Sequence, residues 1–148
     1  MTTPEYSPKH FNACELLPRQ VYELTGRGGL RLFDTCVLKS LDYLRDFFGQ
    51  PIYVNSWEKD RLDGRNWCGL RTPSCPIGAK LSKHKYGVAF DLHCKSIARL
   101  NELAMLIKNH GQSFGIVRVE SYNVTLHKGY IHCEFGTEIV EKPYFFNP

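Results

Sequence analysis

Ser82-Lys83-His84-Lys85-Tyr86-Gly87-Val88-Ala89-Phe90-Asp91 decides the reading of this chain, together with a later stretch, Tyr130-Ile131-His132-Cys133-Glu134-Phe135. In the first, a polar loop gives way to alternation, with Val88, Phe90 and Leu92 on one face and Ala89 and Asp91 on the other. In the second, Ile131, Cys133 and Phe135 share a face, and Tyr130, His132 and Glu134 form a polar row away from the core. His84 and Asp91 are separated by an odd number of positions, which would place them on opposite faces of an unbroken strand. Gly87 lies between them and can turn the chain from a loop bearing His84 into a strand bearing Asp91. If the two strands are neighbours, His132 reaches Asp91. Two imidazoles and one carboxylate are a ligand set suited to a zinc ion with a fourth position left open. An aspartate between Phe90 and Leu92 is costly to keep ionised near a core, and a divalent cation offsets that cost.

Working outward, Leu32, Phe33, Cys36, Val37, Leu41, Leu44, Phe47 and Phe48 recur at three- and four-residue spacing. They predict an amphipathic helix over 30–48, stopped by Gly49 and Pro51. Pro51 to Trp57 reads as a strand, and Glu58 to Lys83 as a long Gly- and Pro-rich loop with the site beneath it. Ser96 caps a second helix through Ile97, Leu100, Leu103, Ala104 and Ile107 that closes at Gly111, and Ile116 to Glu120 is a further strand. The expected architecture is α+β: a small antiparallel sheet lining a metal cleft, packed against two main helices. One domain spans 1–148, with an arm of one or two helical turns over 1–29 packed onto a body over 30–148. Trp57, Trp67 and Tyr86 are candidates to line a groove or to close the loop over the sheet.

The 148 residues, 43% apolar and 23% charged, suffice for one core. A net charge of +4 with dispersed basic residues, not interleaved with aromatics, argues against a nucleic-acid partner. No segment has the roughly 20 apolar residues that a membrane span needs. The start lacks the pattern of a secretory signal, so the expectation is synthesis in a cytoplasm. Cys14, Cys36, Cys94 and Cys133 read as reduced thiols, Cys94 and Cys133 being buried and inert, whereas Cys68 and Cys75 flank the loop and could pair in an oxidising medium. His93 shares the parity of Asp91 and reads as a polar residue at the strand end.

The pattern Ser-x-His-x-x-Gly-x-Ala-x-Asp, carried by Ser82, His84, Gly87, Ala89 and Asp91, with His132 in an Ile-His-x-Glu context, resembles the signature of the zinc D-alanyl-D-alanine carboxypeptidases. That family is grouped with lysostaphin-like peptidases and the signalling domain of hedgehog. Cys68-Gly69-Leu70-Arg71 is similar to its Ser-Gly-x-Arg element, with cysteine replacing serine. The resemblance covers roughly 52–135 and is strongest to short phage-encoded members, found as endolysins or virion-associated proteins.

It implies a fold of the hedgehog and D-Ala-D-Ala peptidase kind, with Zn2+ held by His84, Asp91 and His132. It also implies a substrate carboxylate held by Arg71 in a cleft that includes Ser82, and bacterial peptidoglycan as the partner. A protein without a secretory signal would reach a cell wall through a lytic route or carried in a virion, where it would meet structural partners. Many relatives place an acid two or three residues before the last histidine, where this chain has Gly129 and Tyr130. Candidates for the general base are His127, then Glu120, with Glu134 a third that reads more readily as a partner of His132. A second reading stays open: a zinc-binding but non-hydrolytic domain, structural or wall-binding, in a virus particle.

Overall fold

The computed structural model describes residues 6–59, 64–121, 125, 127–136 and 143–147. Asp34 decides where the first long helix starts. Its side chain accepts from the Cys36 N–H, so the predicted helix over 30–48 is α3, Thr35–Phe48, while Gly26–Leu32 forms 3₁₀ turns ahead of it. Gly49, in the left-handed region, ends it. The second predicted helix is α4, Ile97–His110, with the Ser96 hydroxyl accepting from the Arg99 N–H. The arm contributes two short helices, α1 (Ala13–Leu16) and α2 (Arg19–Thr25).

Among the described residues four strands form one sheet in the order β1-β3-β2-β4: β1 Ala89–Leu92, β2 Ile116–Glu120, β3 Ile131–Phe135 and β4 Tyr144–Phe146. The expected neighbours are neighbours, with β1 antiparallel to β3 and Asp91 directly opposite His132. The sheet is mixed, however, not wholly antiparallel, because β4 runs parallel to β2. This strand was not foreseen; its only advance sign is the aromatic run after Pro143.

The strand expected over Pro51 to Trp57 does not form as such. Tyr53 alone exchanges two backbone hydrogen bonds with His93, which answers the expectation for that histidine as well. Pro51 has no N–H to give a ladder, and Asn55 turns to the arm instead, its N–H donating to Glu15 O and its side chain to Leu17 O.

One sheet face builds the core. Phe90, Leu92, Val119, Ile131, Cys133 and Phe135 pack with Val37, Leu38, Leu41 and Leu44 of α3 and with Leu100, Leu103 and Ile107 of α4. Phe90 sits between the rings of Phe33 and Phe135, at 5.5 and 5.8 Å. Phe11, Leu16 and Leu17 of the arm are buried in the same cluster. Each fully buried side chain of this size contributes about 1.5–3 kcal/mol, so the arm is bound to the body by its own apolar burial. Among the described residues no helix is long and apolar enough to cross a membrane.

Candidate metal centre

The opposite sheet face carries the polar groups. Register puts Asp91 on β1 level with His132 on β3, and one step beyond Val119↔Cys133 puts Glu120 on β2 level with His132. On β4, Phe146 pairs with Glu120, so a transverse row runs Asp91, His132, Glu120, Phe146. Directly opposed residues have Cβ atoms about 4.5–5.5 Å apart, and the row is thereby a compact cluster of side chains.

His84 enters from a 3₁₀ turn, Lys83–Tyr86, ahead of β1. Gly87 makes the connection: its φ is +68°, and a Cβ there would lie 2.4 Å from Leu32 O, so glycine alone fits. Segment 68–71 lashes this turn to the sheet edge. The Asp91 N–H donates to Cys68 O and the Arg71 N–H to His84 O.

Three ligand-type atoms converge. His84 Nε2 lies 3.1 Å from Asp91 Oδ1 and 3.1 Å from His132 Nδ1, and His132 Nδ1 lies 2.9 Å from Asp91 Oδ1. The outer contacts fix the tautomers. His84 Nδ1 is 2.8 Å from Gly69 O, which only accepts, so that nitrogen carries the proton. His132 Nε2 is 3.3 Å from Glu134 Oε1, another acceptor. Both inward nitrogens therefore present lone pairs toward a carboxylate oxygen, a set of three acceptors that requires a cation or an added proton between them. His84, Asp91 and His132 can thus hold a metal ion.

Arg71 spans the back of this cluster. Its Nη2 donates to Asp91 Oδ2 at 3.0 Å and its Nε to Trp67 O at 2.8 Å, with Nη1 3.4 Å from Ile77 O. It is nearly buried and lines the cleft, where it neutralises the aspartate oxygen that does not face the histidines. Gly69 is dictated by space as well, since a Cβ would fall 2.1 Å from Leu16 O.

Burial works against charge at His132, but its bonds to Asp91 and Glu134 outweigh that and raise its pKa to about 9. Burial likewise opposes ionisation of Asp91, yet the bonds from His132 and His84 bring its pKa well below the usual carboxylate range. Glu134 is also lowered: burial opposes the charge, and the His132 bond and Arg118 overcome it. Arg118 Nη1 lies 3.4 and 3.2 Å from the two Glu134 oxygens.

A cleft of about 400 Å³ opens over the three converging residues. One lip is Ile77, Gly78, Ala79, Leu81, Ser82 and Lys83; the other is Arg118, Glu120, Lys128, Tyr130 and Phe146. Ser82 and Arg71, expected at a substrate, do line it, as do Glu120 and Glu134. His127 does not: it is exposed, a helical residue shortly before β3. Nor do Trp57, Trp67 and Tyr86, the aromatics here being Tyr130 and Phe146. Trp57 instead donates its Nε1–H to Leu17 O.

The loop expected over the site supplies residues 71, 77–79 and 81–83; its residues 60–63 lie outside the described set. Cys68 and Cys75 are free thiols. Cys68 Sγ lies 3.3 Å from His93 Nε2, burial pushing the thiol up to about 12 and the imidazole down to about 4. Cys133 is buried as expected, whereas Cys94 is only half-buried.

Sequence reasoning did not single out Lys128, Arg118 or the carbonyl of Gly69. Only the last had a sign, the Cys68-Gly69-Leu70-Arg71 element. No family model matches the chain, and no curated protein or solved structure matches it significantly.

Proposed function

We propose that this protein is a zinc-dependent peptidase that hydrolyses peptide bonds in the stem peptides of bacterial peptidoglycan, a phage-encoded protein of the D-alanyl-D-alanine carboxypeptidase kind. The observation that carries the reading is the convergence of His84 Nε2, Asp91 Oδ1 and His132 Nδ1 within 2.9–3.1 Å of one another, at the floor of a cleft. Tetrahedral zinc with ligand bonds of about 2.0–2.1 Å requires ligand-to-ligand distances of roughly 3.3 Å, a few tenths of an ångström more than the observed spacing. Two imidazoles and a carboxylate also match the three-ligand sets of catalytic zinc, and their outer bonds to Gly69 O and Glu134 leave the correct lone pairs inward.

When bound, zinc would supply a water of pKa near 7 and a Lewis acid for the scissile carbonyl. The protein's own contribution is to orient. Arg71 fixes Asp91, and Glu134 fixes the ring of His132. The guanidinium of Arg71 at the cleft wall suits a substrate carboxylate as well, through its remaining N–H groups. Lys83 and Lys128 add positive charge to the two lips.

The test is incubation of the zinc-loaded protein with purified peptidoglycan, reading newly released amino groups. Chelator-sensitive release that disappears in His84→Ala is the expected result. Zinc bound with no release from walls of several chemotypes leaves the second reading, a non-hydrolytic structural or wall-binding domain of a virion. The observation that favours that second reading is specific: Gly129 and Tyr130 stand where many relatives have an acid.

A further inference from the structure

We infer that Glu120, from the strand beside the one bearing His132, is the group that accepts and returns the proton during hydrolysis; this rests on the peptidase reading above. Glu120 ends β2, level with His132 on the same sheet face, and lines the cleft. It lies outside the set of ligand atoms that can share one ion, so it stands beside the metal position without occupying it.

Its two oxygens differ. Oε1 accepts from Lys128 Nζ at 3.0 Å, while Oε2 is sealed from solvent and finds no donor among the described residues. A carboxylate oxygen buried without a partner costs about 1–3 kcal/mol or more, and it belongs to a residue that lines the cleft. The other candidates are committed elsewhere. Glu134 has Oε1 against His132 Nε2 and both oxygens against Arg118. His127 is exposed and outside the cleft.

The proton path balances. As the water oxygen bonds to the scissile carbonyl carbon, the Glu120 carboxylate takes one of its protons; as the C–N bond breaks, that proton passes to the leaving nitrogen. The second water proton leaves the new carboxylic acid at neutral pH, so the products are one carboxylate and one ammonium.

Glu120→Gln keeps the shape and removes the basic oxygen. The zinc-loaded variant should keep its metal content and its affinity for zinc, with KM little changed and kcat lowered by roughly 10²–10⁴-fold. A readout independent of turnover is acetohydroxamic acid, which binds catalytic zinc as its anion. Titrated by calorimetry at pH 6 in two buffers of different ionisation enthalpy, the native protein should retain the hydroxamate proton and Glu120→Gln should release it to the buffer. A variant with kcat within threefold of native and an unchanged proton count sinks the role of Glu120 while the peptidase stands. A native protein that binds zinc yet cleaves no wall peptide sinks both.

Discussion

His132 Nδ1 lies 2.9 Å from Asp91 Oδ1, directly across the ladder between β1 and β3, and His84 Nε2 closes the triangle from a turn outside the sheet. Two of the three candidate ligands are thus set by strand register. A one-residue slip would send His132 into the core and Cys133 into the cleft, so the apolar face that fixes the register also fixes the site.

The zinc stoichiometry should be one per chain. His84→Ala, Asp91→Asn and His132→Ala should each lower zinc affinity by more than the roughly 10–100-fold that outer partners of a metal site contribute. Competition with a chromophoric chelator measures this; near-native affinity in any of the three would remove that residue from the ligand set.

Arg71→Ala leaves Asp91 Oδ2 buried beside an empty pocket. Breaking a buried ion pair from one side costs about 3–5 kcal/mol. Because a bound cation would take over part of the compensation, urea denaturation should show a larger loss in chelator-treated protein than in zinc-loaded protein. Equal losses in the two states would show that Arg71 does not share Asp91 with the metal.

The metal-free protein should lose stability as the pH rises. Burial opposes charge on His132, but Asp91 and Glu134 hold its proton up to about pH 9 against an ordinary 6.5. A raised pKa of this kind stabilises fully below the unfolded value and the contribution is lost as pH climbs through the folded one. Asp91, whose pKa is lowered, works in the other direction: its contribution is present above 3.8 and lost as acid protonates it. Denaturation of chelator-treated native protein and His132→Ala across pH 6 to 10 should show their difference shrinking between about 6.5 and 9. A constant difference would mean that His132 carries no extra proton.

Gly87→Ala should destabilise the fold and loosen the site together. A left-handed φ for a non-glycine residue costs about 1–3 kcal/mol, and the added methyl would meet Leu32 O at 2.4 Å. Thermal unfolding should register the loss, and zinc affinity should fall with it because the turn carrying His84 shifts. A variant as stable as the native chain would show that this connection tolerates another backbone path.

The sequence by itself determined the three residues of the candidate metal triad, the parity of the two strands that carry Asp91 and His132, the glycine between His84 and Asp91 and the two long helices, because each is written in local periodicity, capping or spacing. Where α3 begins was legible too, in Asp34, although the apolar pattern runs past that cap in the N-terminal direction. Only the tertiary structure decided which groups surround the ligands. Glu120, Arg118 and Phe146 reach the cleft through strand order and pairing, Lys128 through its ion pair with Glu120, and β4 pairs parallel with β2 at a distance no short window reveals. The strand expected over 51–57 shrank to the Tyr53–His93 bridge because Asn55 gave its own N–H and side chain to the arm. His127 is close to His132 in the chain yet stays exposed, whereas Glu120, further off, is buried beside it. Local patterns record what each residue prefers, and long-range pairing of backbone groups decides which of those preferences meet.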